Sequence, residues 1–485
     1  MERVPKELEG VRKSPDPDAV HDLRVAIRRC RSVAAVMEEV DPNPAWPTMR
    51  KLAKKLFHQL GELRDTQVLE EWTRKLGPES DPIREKLLAA FAAHEKSLQQ
   101  AALKAVDKFD QKSWKKLERK LHRRRRLVVP DGLAADCLAL ERLEAAKELH
   151  VRALRAEKPE AWHALRIGVK RFRYAVESLV PKRYAEWEEN LKHLQDLLGE
   201  LHDFDVLAGK VAEIAGDFSE SRTAWAERIA SQRHERIESY RALTVGEGGL
   251  WQYWRRQLPE GKRLTTASQE RLRVTARALE LNTRRAMLVY RLAIRLFDCL
   301  AKSQSIPASS NYDTRKILRA AARLHSIGPR LDSKAPQRAA RKYLKSLVLP
   351  PGWNEPEWDL MANVVRYHRG DLPDSQHKSF ARFTPEEQKI ICVLAGVLRL
   401  ARALSKCGVL TATGLRIEKS VDALIVQLPG LEESEQHAAR LAAGKYLLES
   451  SLGHSLIVRS IQLTPKVVQL PLIKEPPPPT AAASD

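Results

Sequence analysis

Cysteine is scarce and scattered. The five present, Cys30, Cys137, Cys299, Cys392 and Cys407, have no close partner along the chain. That spacing excludes a disulfide framework and a cysteine-based zinc site, and it points to a reducing compartment. No apolar run is long enough to cross a bilayer. The first residues, Met1-Glu2-Arg3-Val4-Pro5-Lys6-Glu7, lack the apolar core of a secretion signal. A soluble cytoplasmic protein without a membrane partner is therefore expected. Acidic residues are also in deficit: 84 Lys and Arg face 63 Asp and Glu, a net charge of +21, which suits a polyanionic partner.

The excess is uneven. Residues 1–240 carry 46 basic against 41 acidic side chains, whereas the remaining 245 carry 38 against 22. Anion binding by the N-terminal half must therefore come from arrangement. One segment occurs twice there, His21-Asp22-Leu23-Arg24-Val25-Ala26-Ile27-Arg28-Arg29 and His163-Ala164-Leu165-Arg166-Ile167-Gly168-Val169-Lys170-Arg171. Each copy is followed by a second shared phrase, Leu60-Gly61-Glu62-Leu63-Arg64-Asp65 and Leu198-Gly199-Glu200-Leu201-His202-Asp203. A repeat of this kind implies two similar structural units. On a helix His21, Arg24, Arg28 and Arg31 fall within about 80° of one another. His163, Arg166, Lys170 and Arg173 repeat the stripe. Val20, Leu23, Ile27 and Val33 supply a neighbouring apolar face for packing. Like charges three and four residues apart repel, so a chain that repeats them has a use for them.

These phrases resemble the CHAD domain over about residues 1–240. The resemblance implies an all-helical domain of two related bundles that binds inorganic polyphosphate on a basic concave surface. The positions it carries over are His21, Arg24, Arg28, Arg31, Lys51, Lys54 and Lys55 in the first repeat. In the second they are His163, Arg166, Lys170, Arg171, Arg173 and Lys192. Gln67 stands where the second repeat has Asp205, and Arg64 where it has His202, so no shared acidic site is implied at those positions. The repeat histidines lack the paired spacing of metal ligands; no metal or cofactor is expected. Each serves as a donor to phosphate or as a packing residue, and the sequence leaves both open.

Helical periodicity resumes after a break at 244–266, where Trp251, Tyr253 and Trp254 are expected to dock the two halves. The chain divides into 1–243 (repeats about 1–130 and 131–243), a linker at 244–266, a domain at 267–464 and a Pro-rich disordered tail at 465–485. The third part ends in a hairpin at 415–428, a helix at 432–450 and a strand at 455–461. The fold class expected is mostly α: a two-repeat bundle, then an all-helical domain closing with a hairpin–helix–strand unit. In order, Ala320-Ala321-Ala322-Arg323-Leu324-His325-Ser326, Val364-Val365-Arg366-Tyr367-His368-Arg369 and Val393-Leu394-Ala395-Gly396-Val397-Leu398-Arg399-Leu400-Ala401 are similar to the HD-type helical domain of the exopolyphosphatase and guanosine pentaphosphatase family. The actin-like domains that carry hydrolysis in that family have no counterpart here.

An active HD site joins imidazole and carboxylate ligands for a divalent metal. His325 is kept, but Ser326 replaces the paired Asp, and the outer ligand positions fall on Arg285 and Arg402. Three of four ligand positions are gone. The expectation is a non-catalytic relic, with Arg285, His325, Arg366, His368 and Arg402 as a possible anion pocket. The function expected is non-catalytic binding of inorganic polyphosphate or another polyanion, with association to polyphosphate granules. Two alternatives are a phosphohydrolase acting through the C-terminal domain and nucleic-acid-backbone binding by the basic run at 112–126. Trp114 is the one aromatic residue in that run, which leaves little for base stacking.

Overall fold

The computed structural model describes residues 1–13, 17–214, 216, 218–306, 311–432 and 434–461. The tail expected at 465–485 lies outside them. The fold is mostly α. In the N-terminal half the helices are α1 (Arg3–Lys13), α2 (Pro17–Met37), α3 (Ala45–Leu76), α4 (Pro82–Asp107), α5 (Gln111–Leu121), α6 (Leu133–Ala156), α7 (Pro159–Leu179), α8 (Pro181–Ile214) and α9 (Ser219–Thr244). A 3-10 turn at Arg124–Leu127 joins α5 to α6.

The repeated segments lie on α2 and α7, and the second phrases on α3 and α8. Each pair forms a helical hairpin, and α2 also packs on α7. Leu23, Ala26, Ile27, Cys30 and Ala34 of α2 are buried, as are Leu165, Val169, Phe172 and Val176 of α7. Both sets recur at three and four residues, so each helix seats one face and carries its cations on another. Val20 and Val33 are only partly buried at the edge of that core. Pro159 opens α7 at a position where its missing N–H costs nothing. Asp81 caps α4 by accepting from the Ile83 and Arg84 amides, and it also accepts from Trp225 Nε1 on α9 at 3.1 Å.

The interval expected as a linker is largely helical: α10 (Leu250–Arg256) and the start of α11 (Gly261–Leu279) fill it. Trp251 and Trp254 do not bridge the halves. They complete the N-terminal core, with Trp254 5.4 Å from Phe172 and 6.1 Å from Trp187, while Tyr253 is 40% exposed. Four large apolar rings gain more from one shared core than from a thin interface. The halves are joined instead by α11 against α6. There Arg271 and Glu141 form a buried ion pair at 2.5 Å, and Arg124 donates to the Ala278 carbonyl at 3.0 Å.

The C-terminal half continues with α12 (Thr283–Lys302), α13 (Thr314–Leu324), α14 (Gly328–Leu331), α15 (Pro336–Ser346), α16 (Glu355–Tyr367), α17 (Lys378–Ala381) and α18 (Pro385–Leu404). Strands β1 (Arg416–Lys419) and β2 (Ala423–Leu428) pair antiparallel, with Ile417 opposite Val426. After α19 (Glu435–Leu452), β3 (Ser455–Ser460) adds parallel to β2, with Leu424 opposite Leu456. The expected hairpin–helix–strand ending is therefore present. Thr384 and Glu387 form a reciprocal capping box at the start of α18.

Helices α18 and α19 approach closely because glycine lines the crossing. A Cβ on Gly396 would sit 2.9 Å from both Cα and N of Leu448, and one on Gly444 2.6 Å from Ala403 Cβ. Backbone cannot swing aside as a side-chain tip can. Gly396→Ala is expected to destabilise the C-terminal half by about 1–3 kcal/mol through overpacking. Urea unfolding followed by near-ultraviolet dichroism checks this, and an unchanged midpoint would contradict the close crossing.

Candidate functional site

Packing α2 on α7 brings the two stripes to one centre. Arg28 lies 4.8 Å over the ring of Tyr174 on α7, and Arg29 pairs with Glu177 at 2.8 Å. Gly61 on α3 leaves room for Arg24: a Cβ there would lie 3.8 Å from Arg24 Nη2. Burial holds Arg24 below the usual guanidinium range, with Asp65 opposing the shift and Arg28 adding to it. Lys170 is pushed down to about 8, chiefly by burial and then by Arg166, against the pull of Asp65 and Asp203. Asp203 moves the other way, up to about 6, because burial and Asp65 outweigh the help of Arg166 and Lys170. Cations from both repeats and the aspartates of both second phrases therefore share one electrostatic neighbourhood.

Two clefts open from this centre. The first, about 520 Å³, is lined by Arg28, Arg31, Arg50, Arg142 and Arg171 with Phe57 and Tyr174. Arg31 rests 4.5 Å over Phe57, and Arg50 and Arg142 pair with Glu38 and Glu39 at one wall. The second, about 620 Å³, is lined by Arg64, Lys75, Arg166 and Lys170 together with Gly199, Glu200 and Asp203. The Nε atoms of Arg28, Arg142, Arg166 and Arg173 are buried without a hydrogen-bond partner. A buried donor left unpaired costs free energy that an incoming anion would recover.

The other expected positions are spread more widely. Lys51, Lys54, Lys55 and Lys192 are exposed and line neither cleft. Arg173 is already engaged, donating to Gln195 at 3.1 Å and Tyr184 at 3.3 Å. The repeat histidines are not equivalent. His163 Nδ1 lies 3.3 Å from His202 Nδ1, and His202 is pushed down to about 4 by burial and then by Arg166. His21 is exposed and has no ring partner among the described residues. Arg50 and Arg142 complete the first cleft from α3 and α6, outside the repeat phrases. No spacing signal marks them.

The basic run at 112–126 is partly structural. Arg124 clamps the buried Asp41 through two nitrogens at 2.5 Å, and Trp114 is fully buried, donating to the Met1 carbonyl at 3.3 Å. The ring is not available for base stacking.

The HD-like positions need correction. His325 and His368 pack edge to face at 5.5 Å, each with Nδ1 against a carbonyl of its own helix, Ala322 at 2.8 Å and Val365 at 2.6 Å. Burial drives His325 down to about 4 and His368 further below its usual range. A carbonyl accepts only, so Nδ1 carries the proton and Nε2 offers a lone pair, which an anion would not approach. Arg366 is spent on Asp371 at 2.8 Å and stacks 5.1 Å from its neighbour Tyr367. Of the five residues expected in the pocket, Arg285 and Arg402 are the two cations that pair with no carboxylate among the described residues. Nor do these groups suit a divalent metal. Arg402 stands near both histidines, Ser326 donates to Glu280 at 3.4 Å, and Asp298 is held by Arg315 at 2.8 Å. Among the described residues no three His, Cys, Asp or Glu side chains gather as metal ligands do.

Within the second cleft Asp203 and Arg166 act on Lys170 in opposite directions. Asp203→Asn removes a charge that holds Lys170 up, so the Lys170 ammonium is expected to titrate below about 8. Arg166→Gln is expected to move it the opposite way. Heteronuclear NMR of the lysine side chains reads both shifts, and titration of Lys170 indifferent to either change would place the groups apart.

Two family models match the chain, one in each half. The CHAD domain model matches residues 1–212, and the model of Ppx/GppA phosphatase, domain III, matches residues 269–442. Among curated proteins none matches the chain. No helix among the described residues is long and apolar enough to cross a membrane. The chain thus joins a CHAD domain to a Ppx/GppA phosphatase domain III.

Proposed function

We propose that the CHAD domain grips inorganic polyphosphate between the α2 and α7 stripes without cleaving it, and that this draws the protein to polyphosphate granules. Both domain families are consistent with a polyphosphate-related role. The observation that carries the reading is the shared centre: Arg24 and Arg28 from one repeat, Arg166 and Lys170 from the other, with clefts continuing on either side. A linear polyanion can cross such a centre and meet both repeats at once. Charge-assisted bonds from guanidinium to phosphate are among the strongest available to side chains, and unpartnered arginine Nε donors await them.

Two competing readings are less well supported. Hydrolysis by the C-terminal domain would need ligands that the Arg285, Ser326 and Arg402 substitutions have removed. Nucleic-acid binding through 112–126 would lack base stacking, because Trp114 is buried.

Arg24→Ala, Arg28→Ala, Arg166→Ala and Lys170→Ala together are expected to weaken polyphosphate binding at least about 100-fold. The variant should also flatten the dependence of log affinity on log salt by about 3, four contacts at roughly 0.7 each. Fluorescence anisotropy over a salt series measures both, with circular dichroism to check the helices. Affinity retained within a few-fold would show that the stripes are not the site.

The pH dependence follows from two groups. Asp203 gains negative charge through about 6, and Lys170 loses positive charge through about 8. Each step weakens the hold on an anion, so affinity is expected to fall in two limbs between pH 5 and 9. Asp203→Asn should remove the lower limb and Lys170→Arg the upper one. Affinity that rises with pH would contradict the assignment.

A further inference from the structure

We infer that the C-terminal domain carries a second oxyanion site, separate from the CHAD clefts, in which Arg402, Lys406, Arg369 and Arg285 receive one terminal phosphoryl group. Arg399, Arg402 and Lys406 follow at i, i+3 and i+7 along the end of α18 and just beyond it, so they project to one side. Arg399 is an anchor. It donates to the carbonyls of Tyr367, Gly370 and Asp371 at 2.7, 2.8 and 2.7 Å. Those three bonds bracket Arg369 and fix its backbone beside α18. Arg402 acts on the buried histidines His325 and His368, which themselves take no part in holding the anion. Arg369, Arg399 and Arg285 all act on Arg402, and Arg402, Arg440, Arg285 and Arg369 act on Lys406.

This crowd is not balanced. Among the described residues Arg285, Arg369, Arg402 and Lys406 form no salt bridge, whereas Arg315, Arg338, Arg366, Arg382, Lys316 and Lys345 of the same domain each hold a carboxylate. The C-terminal end of a helix favours a cation, which accounts for Lys406 alone. Arg285 has no such excuse: it lies in the first turn of α12, the end that favours acids, and that turn contains none. Like charges gathered without a counterion destabilise the empty protein. A dianionic phosphoryl group would relieve all four at once, through bidentate guanidinium contacts. The ligand class is therefore a terminal phosphate, borne by a short inorganic chain or by a nucleotide.

The test uses the full chain carrying the four stripe substitutions Arg24→Ala, Arg28→Ala, Arg166→Ala and Lys170→Ala, which silences the CHAD site and leaves this one. Calorimetric titration with tripolyphosphate and with ATP is expected to give one saturable site for at least one of them. The tighter ligand identifies the source, an inorganic chain or a nucleotide. Arg369→Gln with Lys406→Gln, added to that background, should weaken binding at least about tenfold. The same pair should raise the melting temperature of the ligand-free protein, because it removes repulsion. A purely structural role would lower it. Arg402→Gln is a second variant with the same two expectations. Absence of binding below millimolar ligand, or binding unchanged by all three substitutions, would overturn the site. The read-out is independent of whether the stripes bind polyphosphate, since it is taken after they are removed.

Discussion

Four cations from two helices occupy one neighbourhood in the CHAD domain, and their mutual repulsion must be outweighed by what lies beneath them. The packing of α2 on α7 does this. Leu23, Ile27, Leu165, Val169 and Phe172 are fully buried, and each such side chain contributes roughly 1.5–3 kcal/mol, well above the cost of a partly exposed like-charge contact. The aspartates of the second phrases moderate the crowding without cancelling it: Asp65 and Asp203 act on Lys170, yet Asp203 itself is pushed up to about 6. The result is a charged surface held in place by an apolar one, with its donors incompletely satisfied.

The same logic links the halves of the molecule. Helix α6 is buried along its first two turns, from Ala134 to Glu141, because it packs on α7 on one side and on α11 on the other. Asp136 on α6 binds Arg183 of α8 and Arg263 of α11, while Glu141 binds Arg271. A buried ion pair of this sort is costly to break from one side. The C-terminal domain is thus fastened to the helix that supports the second repeat, and the two proposed anion sites belong to one folded body.

Much of this was legible in the chain. The repeats announced α2 and α7 because a 3.6-residue period of cations beside an apolar period can be read directly. The hairpin–helix–strand ending was legible from a different signal, two short segments at 415–419 and 423–428 that flank a turn. What the sequence did not carry was the partnering between distant elements. Arg50 and Arg142 join the first cleft only because α3 and α6 flank α2 and α7. Arg366 was expected in the relic pocket, yet Asp371, five residues later, captures it. The site proposed there draws instead on Arg369, whose backbone lies under the Arg399 clamp, a contact between α18 and a loop nearly thirty residues earlier. The glycines around 246–249 suggested a linker; Trp251 and Trp254 instead found Phe172 and Trp187, a choice made by ring packing across some seventy residues.

Binding without cleavage is the central claim, and one measurement addresses it directly. The full chain is incubated with long-chain polyphosphate and Mg²⁺ or Mn²⁺, while bound polymer and released orthophosphate are followed in the same samples. The account predicts saturable retention of polymer of unchanged length and no phosphate release above the protein-free control. Orthophosphate that accumulates in proportion to protein, and polymer that shortens with time, would contradict it.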